Sequence, residues 1–355
     1  MQKPTPKYLL VEQYIKQAIK KGKIVDKLPG ERTLAKDLGF SYMTIRKAID
    51  NLVAEGILYK VPTKGTFIAD KKSAKKTTHT IGYFLDASIA SGLTSPYYSL
   101  IFDALEKETA LHGYSLVYFS DAGNGNIEKI VSKLDGVIIS SFPRIENIIQ
   151  RIKNIAPVTV IDNSSSDKTI PSVIIDNFNA VVDSVDYLVS LGHQRIAFMT
   201  GLEDSDVGKD RCAGYRSGLN KHAIKFDQAL VFRGNYSFKA GIHGAEYFLS
   251  LEQPPTAIMC ANDSMALGAM RKLYEAGLEI PNDMSVTGFD DIEVASQIQP
   301  ALTTIAAPIN QIAKRSFDLI HHLIQGNELD NRHIALPAKL VIRQSCAKAK
   351  KSEAA

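Results

Sequence analysis

The sequence predicts an α/β chain in two unlike parts: a small, mostly helical head that ends in a hairpin, and a large body of parallel sheets with helices on both faces. Three observations predict it. The first is charge. Residues 1–79 hold 17 Lys and Arg against 7 Asp and Glu, and residues 80–355 hold 25 against 31, so the net +4 conceals a basic head on a mildly acidic body. The second is the order of patterns in the head, three helical periods and then two short β-type runs. The third is the body's alternation of unbroken apolar runs with helical patterns, which marks parallel strands buried on both sides.

At 355 residues the chain is long enough for two or three full cores, and 45% hydrophobic with 23% charged residues is ordinary for a globular protein. No apolar run approaches the roughly 18–20 residues that span a bilayer. The stretch Tyr8–Ile19 carries Glu12, Gln13, Lys16 and Gln17, so it is amphipathic and not a secretion signal. Cys212, Cys260 and Cys346 are scattered and odd in number, which argues against a disulfide framework or a thiolate metal site and suits a reducing cytoplasm. No metal, cofactor or membrane partner is expected.

In the head, Tyr8, Leu9, Leu10, Val11, Ile15, Ala18 and Ile19 predict a first helix that stops near Lys21-Gly22, where Gly suits a left-handed turn. Pro29 with Glu31 just after it reads as the opening of a second helix, through Leu34, Ala35 and Leu38 to Gly39. Ser41 is a good N-cap for a third, Tyr42 to Glu55, with Ile45, Ala48, Ile49, Leu52 and Val53 as its buried stripe and Gly56 as its stop. Residues 57–61 and 65–68 read as strands around a Pro62-Thr63-Lys64 turn. This order is that of a winged helix-turn-helix. A helix fits the major groove of DNA and reaches base edges with its N-terminal residues, here Ser41, Tyr42, Met43 and Thr44, with Arg46 and Lys47 one turn in. Arg46 is suited to a guanine or a phosphate, Arg32 to the backbone, and Lys64 to the minor groove; each cation taken alone also reads as a solvated surface charge.

The segments Leu28–Ala35, Thr44–Ala48, Leu52–Gly56 and Lys64–Ile68 resemble the GntR-type winged head. The resemblance covers about residues 6–70 and implies Arg32, Thr44, Arg46 and the Gly65 wing as contacts with double-stranded operator DNA. Three positions depart from it. Gly30 stands where Ser is usual, Tyr42 where Arg is usual, and Pro62-Thr63 where Gln-Gly is common. The polar stretch Asp70–His79 reads as a tether, which gives a head of 1–70 and a linker of 71–79.

In the body, strands are expected at 81–85, 115–119, 136–139, 157–161, 195–199, 257–260 and 284–288, with helices over 97–111 and 177–191. The rhythm restarts at Arg195, which suggests two similar lobes. No GxGxxG after a strand, GxxxxGK[ST], HExxH or GxSxG is present, so the enzyme classes those motifs mark lose support. Ligands of open α/β sheets sit beyond the carboxyl ends of strands. There the sequence places Asp162, Asn262-Asp263 and Asp290-Asp291, with Arg211 in the loop-to-helix turn after Gly201. Asp263 and Asp291 also read as helix caps, and a lone Asp after a strand is a cap or turn residue more often than a ligand. Asp, Asn and Arg groups pair with vicinal hydroxyls, and an aromatic face such as Tyr236 covers the apolar side of a sugar ring.

The segments Ser190–Ala197, Arg211–Tyr215, Ala261–Met270, Ile280–Asp291 and Pro300–Ile305 resemble the effector domain of LacI/GalR repressors, which is itself similar to periplasmic sugar-binding proteins. The match spans about residues 80–345. It implies Asp162, Arg211, Asn262 and Asp290 as polar ligand groups, Tyr236 as an aromatic wall, and Ile175 and Ile309 as wall positions where some members place an aromatic. It also implies a three-segment hinge near 175, 306 and 336, and a variable loop at Asp86–Tyr98. Lobe one is then about 80–175 plus 306–336, lobe two about 176–305 plus 337–345, and 346–355 a tail. That body normally follows a different head; the hybrid is similar to arabinose-responsive repressors of Gram-positive bacteria. The expectation is a cytoplasmic homodimeric repressor with a small sugar as effector. A nucleobase or sugar phosphate, or a carbohydrate-active enzyme using Asp162 and Asp290, is the alternative.

Overall fold

The computed structural model describes residues 6–61, 64–68, 77–85, 92–120, 126–140, 145–202 and 204–350. Pro62-Thr63 of the wing, linker residues 70–76, loop residues 86–91 and tail residues 351–355 lie outside them. Two compact units divide at Thr77/Thr78, and each is described by itself.

The head contains α1 (Lys7–Lys20), α2 (Glu31–Leu38), α3 (Tyr42–Ala54) and the antiparallel hairpin of β1 (Leu58–Val61) and β2 (Gly65–Ile68). Gly22, Gly39 and Gly56 take left-handed φ of 67–70° at the three helix ends, where a Cβ would cost strain. Ser41 caps α3 by accepting from the Thr44 amide at 3.2 Å. Val11, Ile15, Leu28, Leu34, Ile45, Ile49, Leu52 and Leu58 fill one core. Beside it the buried Glu12 carboxylate accepts from Asn51 Nδ2 at 2.7 Å. Strand β2 also meets the segment before α2, with the Leu28 amide donating to Thr66 O and the Ile68 amide to Asp26 O. Lys60 on β1 reaches Asp50 at 2.7 Å and Glu31 at 3.3 Å, tying the hairpin to α3 and α2.

The body begins with β3 (Thr80–Leu85), α4 (Pro96–Leu111), β4 (Ser115–Phe119), α5 (Ile127–Val131), β5 (Gly136–Ser140), α6 (Ile145–Ile152), β6 (Val158–Ile161) and β7 (Ser172–Ile175). It continues through α7 (Asn177–Ser190), β8 (Ile196–Thr200), α8 (Asp206–Lys221), β9 (Val231–Arg233), α9 (Phe238–Leu249), β10 (Ala257–Cys260), α10 (Asp263–Glu275), β11 (Ser285–Asp290), α11 (Glu293–Gln297) and β12 (Thr303–Ala306). It closes with α12 (Ile309–Ile324), β13 (His333–Leu336) and β14 (Lys339–Val341). One sheet has the order β13-β7-β6-β5-β3-β4 and is parallel throughout. The other has the order β14-β12-β11-β10-β8-β9, with only β14 antiparallel.

Central strands β5, β6, β8, β10 and β11 are buried along their whole length, as parallel strands under two layers of helix must be. Alternation sorts β3 between two cores: Ile81 and Tyr83 enter the larger one, and Phe84 enters the cluster of Phe119, Val131, Ile139 and Ile149 on the other face. The chain passes from one sheet to the other three times, after β7, after β12 and after β13. Asp176 stands at the first passage. Its amide donates to Leu336 O at the third, and its side chain caps α7 by accepting from the Asn179 amide.

Candidate functional site

In the head, the exposed face of α3 carries Tyr42, Met43, Arg46 and Lys47. Arg46, Arg32 at the second position of α2, and Lys64 at the wing make no side-chain hydrogen bond or ion pair among the described residues, and all three are exposed. Gly65 beside Lys64 has φ 116°, which a side chain would resist. Some of the expected contacts are already engaged inside the head. Ser41 and Thr44 share a 2.8 Å hydroxyl hydrogen bond. The Lys47 ammonium rests 4.5 Å from the Tyr8 ring centroid, a cation–π contact that fixes it toward α1.

In the body, the expected ligand groups lie where strands of the two sheets end toward each other. Asp162 follows β6, Asp290 closes β11 and Asn262 follows β10. Arg211 does not sit in the loop-to-helix turn expected of it. It lies in the second turn of α8, because Ser205 caps that helix early, through the Gly208 amide, and so starts it at Asp206. Arg211 is 5% exposed. Its Nε donates to Asn177 Oδ1 at 2.8 Å, its Nη1 donates to the Ala261 carbonyl, and its guanidinium stacks 3.5 Å from the Phe289 ring centroid. Its Nη2 and the Asp290 carboxylate make no hydrogen bond among the described residues.

Asp162 accepts from Tyr97 Oη at 2.6 Å. Burial pushes its carboxyl up to about 6, against the pull of the Tyr97 hydroxyl and Arg211. Burial also drives the Asp290 carboxyl well above the carboxylate range; Arg211 opposes that rise, while Asp263 and Asp162 add to it. These groups sense one another across the two lobes. Six non-glycine residues have positive φ among the described residues, and Asp162 (55°), Tyr236 (66°), Asp290 (114°) and Asp291 (60°) are four of them. Backbone strain of this kind costs about 1–3 kcal/mol per residue and gathers at functional sites. The Asp290 carbonyl also accepts from the Ala307 amide, at the second passage between sheets.

Tyr236 packs its ring on Gly201, so closely that a Cβ there would overlap the ring, and its buried hydroxyl has no partner among the described residues. Asn262 is turned inward: Oδ1 caps α10 through the Met265 amide, and Nδ2 donates to Tyr236 O, so it holds the strained tyrosine. The cap reading of Asp263 and Asp291 does not hold. Asp263 accepts from Thr304 Oγ1 at 2.5 Å and the Ile292 amide at 2.9 Å, and Asp291 pairs with Arg343 at 2.6 Å. Ile175 is buried, and Ile309 is half-buried at the start of α12.

Four participants escaped the sequence reading: Tyr97 and Tyr98 after Pro96, Asn177 at the start of α7, and Phe289. No strand-end signal marks the first three: Tyr97 and Tyr98 open α4 well past the end of β3, and Asn177 follows β7, which the apolar pattern does not single out. Between the lobes opens a cavity of about 220 Å³, lined by Asp162, Ser164, Asn177, Asp206, Lys209 and Asp210 among others; Arg211, Tyr236 and Asp290 are not part of its lining. Its rim is latched in two places. Ser164 Oγ donates to Asp206 Oδ2 at 3.2 Å, and Leu85, Tyr98 and Val207 form an apolar contact across the lobes.

Comparison with known proteins adds two family matches: bacterial regulatory proteins of the gntR family over residues 7–68, and the periplasmic binding protein-like domain over residues 185–346. The HTH-type transcriptional repressor CytR of Escherichia coli K12 is 33% identical over 266 residues, covering 72% of this chain and 77% of that protein. The ribose operon repressor of the same strain is 31% identical over 332 residues, covering 88% and 98%. A LacI family transcriptional regulator from Enterococcus faecium, solved with bound ribose, superposes with a TM-score of 0.68 at 28% identity, over 76% of this chain and all of that one. No helix among the described residues is long and apolar enough to cross a membrane.

Proposed function

The chain belongs to the LacI-family transcriptional repressors and carries a GntR-type head, and from that premise we propose that it grips a pseudo-palindromic operator as a homodimer and releases it when an uncharged sugar fills the cleft. The observation that carries this reading is the convergence of the buried Asp162, Arg211 and Asp290 with Tyr236, whose buried hydroxyl has no partner among the described residues; Asp162, Tyr236 and Asp290 stand on positive-φ backbone. Buried polar groups without partners are costly, so a ligand that supplies hydroxyl donors and acceptors is bound at the expense of that deficit.

Charge selects among ligands. The mouth presents Asp162, Asp206 and Asp210 against Lys209, and the interior adds the Arg211 guanidinium beside the Asp290 carboxyl, which burial holds well above the carboxylate range. A phosphate dianion entering there meets more carboxylates than cations. An aldose meets paired acceptors and one guanidinium, with Tyr236 as apolar wall. In this reading Asp162, Arg211, Tyr236 and Asp290 touch the ligand, and Asn262 positions Tyr236.

In the head, Arg32, Arg46 and Lys64 meet DNA, with the 1–70 unit as reader and residues 71–79 as tether. Work on DNA puts the protein in the cytoplasm. The three passages between sheets act as the hinge, and closure of the lobes alters the dimer surface and so the spacing of the two heads. The energy available for release is the difference between the ligand's affinities for the closed and open lobes. We read the cleft as binding without turnover, since the relatives are regulators; hydrolysis of a bound sugar would speak for the carboxylate pair as an enzyme.

The test is calorimetry on the full chain with pentoses, hexoses, their phosphates and nucleobases, paired with operator binding in the presence of each. A free sugar that binds and weakens operator binding supports the reading. A phosphate or nucleobase as the sole binder overturns the choice of ligand.

A further inference from the structure

We propose that the first turn of α3 reads thymine methyl groups through Tyr42 and Met43. The inference rests on the operator-binding reading and adds a base preference to it.

Met43 is 68% exposed and Tyr42 41% exposed, at the first two positions of the helix capped by Ser41. Neither joins the head's core, to which the same helix gives Ile45, Ala48, Ile49 and Leu52. The fold therefore gains nothing from leaving two large apolar side chains in water at that place. Met43, Arg46, Lys47 and Asp50 are all exposed, and they stand at i, i+3, i+4 and i+7, one stripe of the helix. Two of the four are occupied within the head, Lys47 by the Tyr8 ring and Asp50 by Lys60. What the stripe leaves free for a partner is a thioether and a guanidinium, with the Tyr42 ring beside them.

Major-groove chemistry gives each a natural counterpart. A guanidinium meets guanine O6 and N7 or a phosphate. A methionine side chain has no strong donor or acceptor, and the apolar feature on the groove floor is the C5-methyl of thymine. Tyr42, with an aromatic edge and one hydroxyl, suits a thymine methyl next to an adenine or a phosphate. Each half-site is then expected to place one or two thymines under the Tyr42-Met43 turn, adjacent to the base or phosphate held by Arg46.

The experiment selects duplexes from a random-sequence DNA pool with the full-length protein. It then replaces each thymine of the selected duplex by deoxyuridine, which deletes the methyl and nothing else. Burying one methyl is worth about 0.8 kcal/mol, so uracil at the sensitive position weakens binding about fourfold. Met43→Ala or Tyr42→Ala is expected to erase that sensitivity while the duplex is still bound. The inference is overturned if uracil is tolerated at every position, or if sensitivity survives in both variants. A pool that enriches no sequence at all overturns the operator-binding reading itself, which separates the two failures.

Discussion

Arg46 in the head and Arg211 in the body are the same side chain put to opposite uses. Arg46 stands in water on the outer stripe of α3, without a partner among the described residues, on ordinary helical backbone. Arg211 is buried, hydrogen-bonded to Asn177 and Ala261, stacked on Phe289, and surrounded by strained residues. In the proposed reading the difference follows from what each meets, DNA for Arg46 and a small ligand for Arg211. DNA is a large rigid polyanion that arrives with its own counterions, so its reader stays solvated and exposed, and gains from ion release. A small ligand offers few contacts, so its site keeps preorganised dipoles out of water, and the surrounding fold bears the strain.

The sharpest way to break the comparison is Arg211→Ala. It leaves Asn177 Oδ1 and the Ala261 carbonyl without their donor and removes the cation that faces Asp162 and Asp290. Taking one partner from a buried charged set costs about 3–5 kcal/mol. The body is expected to melt at a lower temperature, by thermal denaturation, and to lose ligand binding beyond detection in calorimetry. A variant with unchanged melting and unchanged affinity would mean that Arg211 is not the hub of the site.

Asp162→Asn is next in size, and its sign runs the other way. The folded carboxyl at about 6 lies above its ordinary 3.8, so the folded state holds the proton more tightly than the unfolded chain does. That contribution is fully present below about pH 4 and is lost as pH rises through 6. Above 6 the ionised, buried carboxylate costs roughly 3 kcal/mol. The Asp162→Asn variant is expected to be more stable than the wild type without ligand at pH 7.5 and equal to it near pH 4, in urea melts at both values. The same substitution weakens sugar binding, since an amide offers one acceptor where the carboxylate offers two.

The fold and site are unequally legible in the sequence, for physical reasons. Most interior strands are readable because burial on both faces demands an unbroken apolar run, as in residues 257–260 and 136–139; β7 and β12 are interior too, but Ser172, Thr303 and Thr304 break their runs. The edge strands β9, β13 and β14 are half-exposed, and their short mixed sequences, such as His333–Leu336, carry no such run. The sheet partners of β13 and β14 are set by the passages between lobes, which no local pattern records. Asp162 and Asp290 are readable because an acid just past an apolar strand is conspicuous. Tyr97, Asn177 and Phe289 are not, because each acquires its role only when another element arrives: Asp162 over Tyr97, and Arg211 between Asn177 and Phe289. In the head, every helix end is marked by its own Gly, Ser or Pro, so local chemistry suffices. Engagement of Lys47 by Tyr8 is invisible, because it pairs α3 with α1, distant in the chain.

In the head, Arg46→Ala is expected to weaken operator binding about 10- to 100-fold, the range for losing one base or phosphate contact. It leaves the melting of the body and its sugar affinity unchanged, because the side chain makes no polar contact among the described residues to lose. Binding isotherms across a salt series separate the two kinds of contact. A phosphate contact lowers the salt slope by about one unit and weakens all sequences alike, whereas a guanine contact relaxes selectivity at one position.

Lys47→Ala is the smallest effect and the one that most sharpens the contrast between Arg46 and Arg211. Lys47 stands on α3, as Arg46 does, yet its ammonium is held on the Tyr8 ring, an internal contact of the kind that fixes Arg211. An exposed cation–π pair is worth about 0.5–1 kcal/mol. The head is therefore expected to melt measurably earlier while the operator affinity falls only about two- to threefold, a loss of the same order as that pair. Tyr8→Leu, on α1 rather than the reading helix, reproduces the stability loss and frees the ammonium, so its operator affinity is expected to hold or rise. If Lys47→Ala weakened DNA binding as much as Arg46→Ala and left melting untouched, Lys47 would belong with the exposed readers, and the ring contact would be incidental.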